Sequence, residues 1–226
     1  MRKISAHFII ISILVALLLS SCLKKFRYPG VTTEVFDLEQ IRERGRLIVT
    51  TDFNSTNYFI YRGQPMGYQY ELLQDLADHL NIKLEVVVSN DLEETFNCLR
   101  MGDCDLIALN LTVTRERKKK FDFTVPHSQT RQVLVQRKPD GWEKMTDTRI
   151  EREVIRNQLE LAGKKVYVQQ NSAYFVRMQN LADEIGDTID IIDVPEDAET
   201  LIMLVADGQI EYTVADENVA LVNQTY

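Results

Sequence analysis

The sequence predicts an α/β protein built as two lobes of similar size that face each other across a cleft. Three observations carry this reading. Strand-like and helix-like apolar periods alternate along most of the chain, the alternation pauses at Lys138-Pro139-Asp140-Gly141, and it then starts afresh over a second run of about the same length. At 226 residues the chain has room for one large domain or two small ones. Its 45% hydrophobic and 27% charged residues are ordinary for a packed protein. A net charge of -8 argues against nucleic acid as a partner, because phosphate binding usually needs a basic surface.

The elements follow in order. Residues 46–50 read as a strand. Residues 71–80 read as a helix with Leu72, Leu73, Leu76, Ala77 and Leu80 on one inward face. Residues 84–88 are a strand and 91–101 a helix, with Leu92, Phe96 and Leu99 inward and Gly102 as the stop. Residues 105–109 form a third strand. After the strand at 132–136 and the turn at Pro139, a helix is expected over 149–161. The second alternation then runs strand 165–169, helix 173–185, strand 190–193, helix 197–206 and strand 211–215. Lobe one is assigned residues 38–136 and lobe two residues 137–226. Strands of this kind are expected to form largely parallel sheets, and small ligands usually bind at their carboxyl ends and between domains.

The first 37 residues have a different task. Arg2 and Lys3 precede an apolar run at 8–19 that ends in Leu19-Ser20-Ser21-Cys22. A charged start, a short apolar core and small residues at the cut describe a signal peptide over residues 1–21; a plain anchor helix would need a longer apolar run. Cys22 directly after Leu-Ser-Ser resembles the bacterial lipobox, which implies acylation of Cys22, a mature chain starting there, and a polar tether over 22–37. Outside the cytoplasm Cys98 and Cys104 are either a disulfide or two buried thiols, since spacing does not fix geometry. No C-x-x-C occurs, and His7, His79 and His127 are far apart, so no metal site is expected. No cofactor is expected either.

The richest stretch is L-N-L-T-V-T-R-E-R-K-K-K-F-D-F-T-V-P-H, residues 109–127. Five of the six residues 115–120 are basic, but they divide by role. Asn110, Thr112 and Thr114 alternate with Leu109, Leu111 and Val113, which sets the polar three on one face at the end of a buried strand. Thr114 is placed to cap a helix starting at Arg115, and Arg117 falls in its first turn, where a cation is electrostatically unfavourable unless it serves a ligand. A hydroxyl, free N–H groups and a guanidinium fork together make a carboxylate or phosphate receptor. Lys118, Lys119 and Lys120 read as a solvated face.

T-V-T-R-E-R-K-K-K-F-D-F-T-V-P-H (112–127) resembles the signature of family 3 solute-binding proteins. G-Y-Q-Y-E-L (67–72) and L-A-G-K-K-V-Y-V-Q-Q-N-S-A-Y (161–174) are similar to that family's first long helix and second-lobe opening. More narrowly, residues 58–73 and 212–220 resemble the regulatory module that precedes the catalytic domain in membrane-bound lytic murein transglycosylases of the F type. The resemblance implies a two-lobed, type II periplasmic-binding-protein-like fold whose ligand is held between the lobes. Thr112 and Arg117 would take an α-carboxylate from lobe one, and Asn171 and Ser172 would close over it with backbone N–H groups. Asp216 would take the ammonium and Tyr58 would pack on the side chain; for Asp216 a helix cap before Glu217 is the alternative. Asn110 stands where Ser or Gly is common, and His127 where Tyr is common.

The resemblance implies a lipid-anchored binding or sensor module of the cell envelope, on the periplasmic face of the outer membrane, that captures an amino acid, short peptide or peptidoglycan fragment. Its expected partners are the small ligand, the membrane through the anchor, and either a transglycosylase domain or an importer's permease. A transglycosylase needs a general-acid glutamate in a sugar groove, and Glu71, Glu116 and Glu217 lack that context, so the chain itself is expected not to be an enzyme. Binding proteins of this type return to lobe one after the strand near Asp216. The stop at Tyr226 therefore reads as a truncated C-terminal part.

Overall fold

A computed structural model describes residues 37–224. The expected signal peptide, Cys22 and the tether up to residue 36 lie outside the described residues. Helix α1 (Leu38–Arg44) opens on a capping box, with the Asp37 carboxylate accepting from the Glu39 and Gln40 N–H groups and the Gln40 side chain accepting from Asp37 N–H. Strand β1 (Arg46–Thr51) follows at once and is the centre of the first sheet, order β4-β1-β5, with β4 (Lys83–Val88) and β5 (Leu106–Ile107) both parallel to it. Leu47 and Val49 of β1 pack with Leu73 and Ala108 into the first core. Each such burial is worth roughly 1.5–3 kcal/mol.

Between β1 and the next helix the chain makes a hairpin that the sequence reading did not anticipate, β2 (Phe59–Tyr61) against β3 (Gln64–Met66). Its turn is Arg62-Gly63, both at positive φ, and a glycine-bearing two-residue turn between aromatic and apolar residues was the available signal. Helix α2 (Tyr68–Leu80) then begins directly after Gly67, three residues before the expected start. Its buried stripe is Gln69, Leu73 and Ala77. Leu72 and Leu76, expected inward, are 43% and 36% exposed. A narrow three-stranded sheet covers only one line of a helix, and the i, i+4, i+8 row takes it.

Helix α3 (Leu92–Met101) runs from the Asp91 cap to Gly102 as expected. The following strand is shorter than expected, because β1 is its ladder partner and ends at Thr51. The last rung is Ala108 N–H to Thr50 carbonyl at 2.8 Å, with the Thr51 hydroxyl donating to the Ala108 carbonyl at 2.7 Å. From Leu109 the chain turns on a Leu111 N–H to Leu109 carbonyl bond of 2.8 Å, so the alternating residues 109–114 are loop, not strand. The four-residue helix α4 (Arg115–Lys118) follows, with the Thr114 hydroxyl accepting from Arg117 N–H at 3.2 Å as its cap.

The second sheet has the order β6-β9-β7-β8: β6 (Gln132–Gln136), β7 (Lys165–Gln169), β8 (Asp190–Val194) and β9 (Tyr212–Asp216). β7 is parallel to β8 and β9, whereas β6 is antiparallel to β9 and makes the sheet mixed. Thus Gln132–Gln136, assigned from sequence to lobe one, belongs to the sheet of lobe two. The helix expected over 149–161 is instead α5 (Asp147–Glu153), an extended break, and a 3-10 turn at Gln158–Leu161. The break has a visible cause. The Gln136 amide accepts from Ile155 N–H at 2.9 Å and donates to the Ile155 carbonyl at 2.8 Å, so those two backbone groups leave the helical ladder. Helix α6 (Ala173–Ile185) packs Met178 and Leu181 onto Val166, Val168 and Val214, and α7 (Ala198–Ala206) lays Ile202 against Ala215 of β9 and Val219 of α8 (Glu217–Asn223).

Both cysteines left open by the sequence are free thiols, Cys98 partly exposed in the last turn of α3 and Cys104 buried. Burial, together with a hydrogen bond to the Cys98 thiol, pushes the Cys104 thiol pKa well up.

Candidate functional site in the cleft between the sheets

The carboxyl ends of β1, β5, β7 and β9 point at one another, and the loops that follow them enclose a cavity of about 80 Å³. Its walls come from both lobes, and its two ends carry opposite charge.

At the positive end lies Arg117. One guanidinium nitrogen donates to the Thr112 carbonyl of its own loop at 3.0 Å, and the other donates to the Asn171 carbonyl of the opposite lobe at 3.2 Å. The guanidinium plane sits 5.3 Å over the Phe96 ring, which stacks on Phe121 at 5.2 Å. Its protein partners are neutral: among the described residues Arg117 forms no ion pair, and burial draws its pKa below the ordinary guanidinium value.

At the other end acidic groups gather. Asp216, the last residue of β9, is 3% exposed; Tyr174 donates its hydroxyl to it, and its Oδ1 has no partner. Burial raises the Asp216 pKa despite that bond, and burial, then the Asp216 charge, raise that of Tyr174. Asp216 precedes α8 but makes no side-chain capping bond to it, so the capping alternative is absent. Asp52, just past β1, is raised by burial and by the nearby Asp197, against the lowering bonds it accepts from Asn57 at 2.8 Å and Asn54 at 2.6 Å. Asp197 caps α7 and accepts from Asn90 across the cleft at 2.6 Å, while Asn90 accepts from Gln169 through its carbonyl at 3.0 Å. Glu199 accepts from Ser55 N–H at 3.1 Å, from the Ser55 hydroxyl, and from Asn223 at 2.9 Å.

Of the residues singled out in the sequence, Asn110, Thr112, Arg117, Ser172 and Asp216 line this cavity. Asn110 is held by an amide bond from the buried Gln69, at 3.3 Å. Ser172 spends both its N–H and its hydroxyl on the Gln169 carbonyl, so the open N–H groups at the start of α6 are those of Ala173 and Tyr174. Asn171, at φ 59°, is outside the lining and meets Arg117 through its carbonyl. Tyr58 is outside it too, edge-on to Phe53 and Tyr70 at centroid distances of 6.3 and 5.6 Å. His127 packs on Tyr68, with Nδ1 3.2 Å from its hydroxyl. The sequence reading missed Asp52, Asn57, Asn90, Tyr174, Asp197 and Glu199. The signal for the first two was D-x-N-S-T-N directly after a buried strand; Asp197 was legible only as a helix start.

The sequence pattern of the bacterial extracellular solute-binding proteins, family 3, matches residues 46–208. The chain belongs to this family. Its fold is the two-lobed type II periplasmic-binding-protein fold. Among solved structures it is similar to the ancestral amino acid-binding protein AncCDT-1, a precursor of cyclohexadienyl dehydratase, with 26% identity, a TM-score of 0.66, and 83% of this chain and 77% of that one covered. A second is an ancestral arginine-binding protein bound to arginine, with 26% identity, a TM-score of 0.66, and 80% and 74% covered. Among curated relatives, the membrane-bound lytic murein transglycosylase F of Desulfosudis oleivorans is 34% identical over 189 residues, 84% of this chain and 39% of the relative. The transglycosylase F 1 of Alkalilimnicola ehrlichii is 30% identical over 194 residues, 84% and 36%. The chain thus spans about two fifths of the curated relatives it matches, and the shared part is the solute-binding domain. Among the described residues no helix is long and apolar enough to cross a membrane.

Proposed function

We propose that this family 3 domain captures a free α-amino acid or the amino-acid end of a cell-wall fragment by closing its lobes, as the sensing part of a peptidoglycan transglycosylase. One observation carries the reading: a half-buried guanidinium without a carboxylate and a buried carboxylate oxygen without a donor line the same small cavity. A zwitterionic head group supplies what each lacks. Its carboxylate is received by Arg117, the Thr112 region and the N–H groups of Ala173 and Tyr174, and its ammonium by Asp216. Such pairs are strong only where water is excluded, and lobe closure excludes it. Asn171 and Tyr58 act at one remove, Asn171 by holding Arg117 and Tyr58 by shaping the 52–58 loop. The two solved relatives named for amino-acid and arginine binding, and the likeness to transglycosylases through this domain alone, support a binding module that does no chemistry.

Thermal melting with a panel of α-amino acids tests the reading. At least one amino acid is expected to raise the melting temperature, and Arg117→Ala to abolish the shift; an unresponsive panel would sink it. Release of soluble fragments from murein sacculi by this chain alone would overturn the non-enzymatic assignment. Anchoring through Cys22 predicts incorporation of radiolabelled palmitate in bacterial cells, lost in Cys22→Ala. The importer reading is the second one. It requires that a permease be stimulated by the loaded protein in proteoliposomes, whereas the sensor reading expects no such stimulation.

A further inference from the structure

A second cavity, larger than the one in the cleft at about 310 Å³, lies within lobe two. It is bordered by the edge strand β6, by helix α6 and by residues 155–161, and it shares no wall residue with the cleft cavity. Its wall depends on the break after α5. The two bonds of the Gln136 amide hold Ile155 at β6, so residues 155–161 border the hollow in extended and 3-10 form. The lining is mainly apolar: Leu134 and its ladder partner Val214, Met178 and Leu181 of α6, and Ile155 and Leu161. An apolar hollow left empty forfeits dispersion contacts along its walls, and water inside it finds few hydrogen-bond partners. At about twice the volume of an apolar cavity that accepts benzene, this one has room for roughly ten non-hydrogen atoms.

Charge narrows what fills it. Two charged side chains stand in the wall, Arg156 and Arg177, and both are cationic in a chain whose net charge is -8. Each now pairs with a glutamate outside the wall, Arg156 with Glu151 and Arg177 with Glu184 at 2.9 Å. These pairs are exposed to solvent, where such bridges hold weakly, so either guanidinium can turn to an anion at little cost. Polar acceptors nearby are spent, the Gln136 oxygen on the Ile155 N–H and the Asn157 oxygen on the Leu159 N–H. The result is a set of donors at the rim of an apolar hollow. We propose that this cavity is a second ligand site, for a small monocarboxylate with an apolar body. The body lies against Leu134, Met178 and Leu181, and Arg156 and Arg177 hold the carboxylate. The site is independent of the head-group reading above and lies within one lobe, so it fills without lobe closure.

Octanoate, whose size matches that room, is the probe, with its neutral isostere octanamide and the shorter hexanoate for comparison. In isothermal titration of the whole chain, octanoate is expected to bind about tenfold tighter than octanamide, the scale of a hydrogen bond to a charged group. It is expected to bind about tenfold tighter than hexanoate as well, because two more methylenes are buried. Arg156→Gln combined with Arg177→Gln, both at exposed pairs, is expected to bring octanoate down to the affinity of octanamide. With methyl-labelled methionine, octanoate is expected to shift the NMR signal of Met178, assigned by its loss in Met178→Leu. Arg117→Ala is expected to leave that shift in place. Octanamide binding as tightly as octanoate, or an unmoved Met178 signal, overturns the proposal. Loss of octanoate binding in Arg117→Ala overturns it too, since the anion would then sit in the cleft.

Discussion

The two ends of the cleft hold buried charge in different ways, and the difference separates what a local stretch of chain builds from what only the fold builds. The Arg117 end is assembled largely within six residues: Thr114 caps the turn and the Thr112 carbonyl takes one guanidinium nitrogen, while Asn171 and the Phe96 ring come from elsewhere. The acidic end draws Asp52 and Asn57 from the loop after β1, Asn90 from the turn after β4, and Asp197 and Glu199 from the start of α7, more than a hundred residues downstream. Local assembly makes the positive end robust. Distributed assembly makes the negative end dependent on both lobes being in place.

Gly67→Ala attacks that dependence and carries the largest expected effect. A Cβ there would lie 2.3 Å from the Asn57 carbonyl oxygen, at a φ of 128° that side chains rarely adopt. The 52–58 loop must then leave the start of α2, where Tyr68 N–H reaches the Thr56 carbonyl at 2.8 Å. A loss of roughly 2–4 kcal/mol in denaturant unfolding is expected, with the acidic end disrupted most. A variant as stable as the parent would show that the loop is not tied down there.

Asp216→Asn sharpens the comparison through pH. The folded-state pKa of Asp216 is raised, so its ionisation costs folding stability above the ordinary carboxylate range and costs nothing below it, where the group is protonated in both states. The variant is expected to melt higher than the parent at neutral pH, with the gap closing as pH falls toward 3.8, and to lose ligand binding. A gap that persists at low pH would contradict the charge origin.

Thr114→Ala removes the cap of a one-turn helix, about 1 kcal/mol, and is expected to weaken binding severalfold through the placement of Arg117. The least effect belongs to Lys119→Ala, whose pair with Glu116 is solvent-exposed on both sides; stability and affinity should stay within about 0.5 kcal/mol of the parent. Thiol alkylation offers a separate check, since Cys98 should react readily and the buried, raised Cys104 slowly.

The alternation of periods was enough to place most strands and helices, because α3, α6 and β7 each carry their own cap, stop or apolar pattern. It failed where a distant partner decides. Gln136 breaks the helix after Glu153, the end of β1 cuts β5 short, and the narrow first sheet leaves Leu72 and Leu76 uncovered. The site divides along the same line. Arg117 was legible as a cation misplaced at a helix start, and Asp216 only through the resemblance to the family. Asp52, Asp197 and Glu199 look like ordinary surface acids until the two lobes bring them to one wall. Asn171 was expected to offer its N–H; what the sequence did not show is that its carbonyl, on a residue with left-handed backbone, accepts from Arg117.

Asn90 grips Asp197 with its amide and Gln169 with its carbonyl, so a single lobe-one residue fastens two elements of the opposite lobe. The kinetic result is a gate. Anything that enters the cavity must wait for these bonds to break, so the observed association rate of a ligand is expected to level off at high concentration.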